Sequence, residues 1–199
     1  MAEIAAAHTS LTNAGRREAG APRIAGAGAV IILISAAAAL LPVGGFDRSA
    51  VIGTMMVIAG LVEMIAGGLR STNRSVARLP GFLTLIAGAL LAVHPLHKFV
   101  FSVWVVIGWL GARGLALAVA TTLTHGSVRA WTMVAAATDL TLGAVLLVGL
   151  LASTLTLTLF GITPEIVRSF SWVVALSFIA TGMLQLEVAT CERLRLGGS

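Results

Sequence analysis

A chain of 199 residues that is 58% hydrophobic and only 11% charged has too few polar side chains to coat a water-soluble globule, since soluble domains carry roughly 25% charged residues. Its mean hydropathy of +1.01, with apolar blocks near the ~20 residues needed to cross a bilayer, identifies an integral membrane protein. The net charge of +5 does not indicate a nucleic-acid partner, because the basic residues lie in short loops and form no patch. A single cysteine, Cys191, excludes an internal disulfide and a cysteine metal cluster.

Residues 1–22 form a polar, Ala-rich tail carrying Arg16 and Arg17. The residues after this pair lack the apolar run of an export signal, so the tail reads as a basic segment that orients the chain. A membrane domain over residues 23–189 follows, and residues 190–199 form a second tail. Six apolar segments fall at about 24–43, 49–69, 79–96, 99–121, 130–152 and 166–188. Lipid supplies no backbone hydrogen-bond partners, so runs of this length must be helices. Arg16, Arg17, Arg23, Arg70, Arg74, Arg78, Arg129, Arg193 and Arg195 flank the segments on one side, against Arg48, Lys98 and Arg168 on the other. That asymmetry puts both termini in the cytoplasm. Trp131 and Trp172 begin the fifth and sixth segments as headgroup anchors, whereas Trp109 lies too deep for that belt and reads as packing.

A Pro-then-Gly spacing recurs three times, from Pro42 to Gly60, Pro95 to Gly114 and Pro164 to Gly182, with separations of 18, 19 and 18. It marks a helix hairpin used three times, at about 24–69, 79–121 and 130–188. Two helices return the chain to its starting side, so successive copies share one orientation about an axis along the membrane normal. The expected fold is all-α and integral to the membrane, with six transmembrane helices in three parallel hairpin repeats. The third repeat carries an insertion, Ser153-Thr154-Leu155-Thr156-Leu157-Thr158-Leu159-Phe160, which alternates with period two. A lone strand in lipid would leave its edges unpaired. Two readings stay open, an extension of helix five or a segment lying at the outer interface. Gly53, Gly60 and Gly67 share one face of helix two, and Gly108, Gly111 and Gly114 one side of helix four. With Gly182 they are the expected helix contacts, because small residues let backbones approach in lipid.

The phrases Leu85-Ile86-Ala87-Gly88-Ala89-Leu90-Leu91 with Pro95, Gly60-Leu61-Val62-Glu63 and Gly182-Met183-Leu184-Gln185 resemble the HdeD family of bacterial acid-resistance membrane proteins. The likeness covers about residues 24–188 and departs at the third-repeat insertion and at Leu117, where the family's polar residue would fall. It implies six helices in the bacterial inner membrane and a part in acid-stress survival, with no catalytic residues to carry over.

Glu63 and Gln185 occupy one repeat position toward the cytoplasmic side, Arg113 lies at similar depth, and Asp139 is near the middle of helix five. An ionisable group costs at least ~2.5–3.5 kcal/mol at mid-helix, so these residues should face inward and find partners. Such a cluster is either a polar lock, with Arg113 bridging Glu63 or Asp139, or a proton- or ion-responsive site. His94 and His97 flank Pro95 beside Lys98. They read as a solvated loop, a pH sensor on the outer face, or a metal pair, although no acidic or cysteine ligand stands near them. The chain carries no phosphate-binding loop, zinc-protease motif or nucleophile elbow, so neither an enzyme nor a cofactor is expected. Three functions follow: a non-enzymatic stress-response protein, a small channel or transporter, and an accessory subunit of a larger membrane assembly. The expected partners are the lipid bilayer and either a second copy or a larger complex.

Overall fold

The computed structural model describes residues 20–40, 48–70, 74–93, 99–160 and 164–197. Six helices follow in order: α1 Gly20–Leu40, α2 Arg48–Leu69, α3 Arg74–Val93, α4 Phe99–Thr122, α5 Gly126–Phe160 and α6 Pro164–Gly197. No strand occurs among the described residues. The alternating stretch 153–160 is helical and extends α5, which resolves the open choice in favour of the extension. In a helix every backbone bond is made within the segment, so period-two side chains do not override the demand for internal pairing. Pro164 opens α6, where its missing N–H is no loss. Trp172 therefore lies within α6 and not at its start.

Five helices contain stretches long and apolar enough to cross a membrane, and α1 contributes a shorter apolar stretch, Ala21–Ala37. The burial pattern is the reverse of a soluble protein's. Leu33, Ile65, Val93 and Val119 are exposed, while Glu63, Arg113, Asp139 and Gln185 are buried. Outward apolar and inward polar side chains are what a hydrocarbon surround requires.

Each helix packs on its sequence neighbours, and α6 returns to α1, so the contacts close into a ring. The packing is tightest where α2 meets α3, α4 meets α5, and α6 meets α1. Glycines set these approaches. A Cβ on Gly53 would lie 2.8 Å from the Gly88 carbonyl oxygen, and one on Gly60 would lie 2.8 Å from that of Gly81. Pairing of rising with falling residue numbers makes α2 and α3 antiparallel. Gly28 and Gly182 meet in the same way, with a Cβ on Gly28 reaching 2.9 Å from the Gly182 oxygen. Ser35 Oγ donates to the Ala175 carbonyl at 2.7 Å further along that seam. At the third seam a Cβ on Gly114 would lie 2.8 Å from Leu140 Cγ and 3.3 Å from the Ala136 oxygen.

Gly108 is a correction to the expected contact face, since it is exposed and a Cβ on it would meet nothing within 4 Å; a Cβ on Gly111 would also find space, but its backbone borders α5, where a Cβ on Gly143 would lie 3.9 Å from Gly111 N. Three-residue steps rotate by about 60° around an α-helix, so the three α4 glycines fan around it: Gly114 packs into α5, Gly111 borders it and Gly108 faces away. The seven-residue steps of α2 drift only about 20° each, which keeps Gly53, Gly60 and Gly67 on one seam.

Two apolar clusters fill the bundle. One includes Met56, Leu91, Val106, Trp109, Leu110 and Phe178. The other, toward the end where α1 begins, includes Ile24, Leu117, Ala136, Leu184 and Val188. Trp109 Nε1 donates to Thr84 Oγ1 at 3.1 Å, and its ring meets Phe178 edge-on at 5.9 Å, which confirms its role as packing. Pro80 lies inside α3, which begins at Arg74 and not at 79. The hydroxyl of buried Thr84 donates back to its carbonyl at 2.9 Å.

Gly60→Ala forces its new methyl onto the backbone of α3, and overpacking of that kind costs about 1–3 kcal/mol. Gly108→Ala meets open space and removes a helix-interior glycine, a gain of roughly 0.5–1 kcal/mol. Denaturant unfolding in mixed micelles should separate the two variants in opposite directions from the parent.

Candidate functional site: a buried ion cluster

Between the two apolar clusters lies a polar layer drawn from α2, α4, α5 and α6. Arg113 sits at its centre with 0% exposure. Its Nη1 donates to Asp139 Oδ2 at 2.6 Å and to Ser177 Oγ at 3.0 Å. Its Nη2 donates to Glu63 Oε1 at 3.1 Å and to Thr181 Oγ1. Both carboxylates anticipated from the cost of intramembrane charge therefore converge on the one arginine, not one of them alone.

The hydroxyls complete the shell. Ser177 accepts from Arg113 and donates to Asp139 Oδ1 at 2.6 Å, closing a three-membered circuit. Thr181 donates its own hydrogen to the Ser177 carbonyl at 2.8 Å, which leaves its oxygen free to accept from Arg113. The Arg113 guanidinium also lies 5.7 Å from the Trp109 ring centroid, within reach of the negative face of the indole. Only Nε of Arg113 lacks a partner.

Gln185 is buried in the same layer, yet it is held by a different cation. Arg70 Nη2 donates to Gln185 Oε1 at 3.2 Å. Arg70 also feels the charge of Glu63, so Glu63 lies under the influence of two arginines. Glu63 and Asp139 set against Arg113 and Arg70 make a formally neutral group, (−2) + (+2) = 0.

Ser177, Thr181 and Arg70 were not anticipated. Ser177, Thr181 and Gln185 recur every four residues along α6, a polar stripe legible at helical spacing. Arg70 reads in sequence as one flanking charge among many. His94 and His97 fall outside the described residues. Among the described residues, no three His, Cys, Asp or Glu side chains gather as metal ligands.

The cluster carries a guanidinium locked by ion pairs and hydroxyls. Its one hydroxyl–carboxylate pair, Ser177 on Asp139, is itself held by Arg113 through both partners. Comparison with protein-family models, with curated proteins and with solved structures returns no match to this chain.

Arg113→Met leaves Asp139 buried without its counterion and Glu63 with only the charge of Arg70, a loss on the order of 3–5 kcal/mol. The triple variant Arg113→Met/Glu63→Gln/Asp139→Asn removes the stranded charges and should regain most of that stability. Unfolding free energies of the single and triple variants in the same micelles check this ordering.

Proposed function

We propose that this is a non-enzymatic, multi-pass protein of the bacterial inner membrane that serves in tolerance of acid or related stress, with the ion cluster as its structural lock. The observation that carries this reading is the closure of the cluster. Arg113 and Asp139 are both 0% exposed, every anionic group has a cationic or hydroxyl partner, and apolar side chains pack on either side. A conducting path needs polar groups in contact with water along its length, and the side chains of this layer are closed off from solvent. The stress role itself rests on the likeness of the glycine-rich helix phrases to the HdeD family.

In this reading all six helices span the membrane as three parallel hairpins, α1–α2, α3–α4 and α5–α6, with both termini cytoplasmic. Register agreement supports the repeat. Gly60, Gly114 and Gly182 each sit against a small residue of the next hairpin in the ring, at Gly81, Ala136 and Gly28. Counted from those residues, Trp109 and Ser177 occupy one position of the repeat, and Thr84 and Asp139 another. Trp109 donates to Thr84 in the second hairpin and Ser177 to Asp139 in the third, the same bond made with different chemistry. The repeat glycines thus join neighbouring hairpins, while the polar bond ties the two helices of one hairpin. The uneven distribution of arginine supports the orientation.

A deletion strain should survive an acid shock less well than its parent and regain survival on complementation; equal survival removes the stress assignment. Proteoliposomes should show no proton or ion flux above empty vesicles across the acid range, and a flux abolished by Asp139→Asn would make the protein a transporter. For orientation, a membrane-impermeant maleimide should reach Cys191 in inverted vesicles and not in spheroplasts.

A further inference from the structure

The apolar spans of α2 and α4 end at Leu69 and Thr122, and those of α3 and α5 begin at Arg74 and Gly126. At that level, the boundary between the apolar stretches and water, a cavity of about 150 Å³ opens between the helices. Apolar side chains make up most of its wall, among them Ala77, Ala120, Val128 and Val188. An apolar cavity of about this size admits a benzene-sized molecule.

The space stays open because the helices around it are already at closest approach elsewhere. A Cβ on Gly67 would lie 2.5 Å from the Ala77 carbonyl oxygen, so the backbones of α2 and α3 touch beside the cavity. The α4–α5 seam is closed in the same way at Gly114, where a Cβ would lie 2.8 Å from Leu140 Cγ. Neither pair can slide inward to fill the gap, and the wall carries only alanine at 77 and 120, both half-buried.

The polar members of the wall are engaged with the protein itself. Arg70 and Glu192 both line the cavity, and the charge of Arg70 is opposed by Glu192 and by Glu63. Arg70 Nη2 donates to Gln185, and its unpartnered Nε is buried where no water reaches, so that atom offers the cavity no donor. The Thr124 hydroxyl donates to the Ala120 carbonyl at 3.2 Å, and Cys191 Sγ lies 3.3 Å from Ser127 Oγ. His125 is exposed, so its ring stays solvated.

A charged guest would lose its hydration here without gaining a counter-charge, because Arg70 and Glu192 already answer each other. A neutral guest incurs no such cost. It also replaces water that meets a mostly apolar wall, and an apolar group that displaces poorly held water gains affinity.

We propose that this cavity is a binding site for a small uncharged molecule of about one aromatic ring, apolar apart from at most one hydroxyl, taken up at the membrane–water boundary.

Three probes of one size and different charge test the site: benzyl alcohol, benzoate and benzylammonium. Each is titrated at neutral pH into the full-length protein in phosphatidylcholine nanodiscs, and thermal unfolding is followed by tryptophan fluorescence. The reference is the cavity-filled variant Ala120→Leu in the same discs, so that effects on the bilayer cancel. Leucine suits a helix, and its added carbons enter the void. Ala77→Leu fills the cavity from α3 and takes its place should Ala120→Leu fail to fold. Benzyl alcohol should raise the Tm of the parent saturably over that of the filled variant. Benzoate and benzylammonium should need at least about tenfold higher concentrations for the same shift, the cost of an unpaired charge. Equal Tm shifts in the parent and the filled variant, or equal responses to the three probes, overturn the proposal. So does a response led by benzoate or by benzylammonium, which would make the cavity an ion site.

Discussion

The interior of this protein depends on the pairing of Arg113 with Glu63 and Asp139. A guanidinium in hydrocarbon is tolerated only when its charge is matched and its donors are met. Matching it here takes side chains from three other helices, because Glu63 comes from α2, Asp139 from α5, and Ser177 and Thr181 from α6. No two helices could satisfy Arg113 alone, so the cluster ties one arrangement of the bundle together. In water such a buried network is weak evidence of stability, since apolar replacements often do as well. In lipid it has a second role. Apolar side chains gain nothing from burial against each other that lipid does not also offer, which leaves polar pairing as a major source of helix specificity.

The other source is close approach of backbones. The seams α2–α3 and α6–α1 are built on facing glycines, and α4–α5 on Gly114 against Ala136 and Leu140. Van der Waals packing drives association in a bilayer, and it grows as helix axes draw together. The two sources occupy different sides of the same helices. Glu63 lies three residues beyond Gly60, about 300° around α2, so one side of the helix meets α3 while the adjoining side reaches the ion cluster. The arrangement combines tight outer seams with a polar centre.

The convergence of Glu63, Arg113 and Asp139 was legible because the cost of charge in lipid is large enough to dictate burial and pairing from sequence alone. Their partners Ser177 and Thr181 were less visible. A hydroxyl can satisfy itself on its own helix carbonyl, as Thr132 does on Val128, so its presence in a membrane helix demands no neighbour. Arg70 was hidden for a different reason. At a helix end an arginine orients the chain in any case, and only the folded bundle turns this one inward to Gln185.

Composition and apolar run length by themselves determined a helical membrane protein, because a bilayer leaves the backbone almost no other way to satisfy its hydrogen bonds. Helix spacing also marked the α2 seam, since seven-residue steps hold glycines on one face. Tertiary structure alone decided which helices adjoin in the ring, that Gly108 faces outward, and that the insertion at 153–160 continues α5. It alone decided that one arginine serves both carboxylates while a second reaches toward a cavity. Those outcomes depend on distances between segments far apart in the chain, and local periodicity carries no record of them.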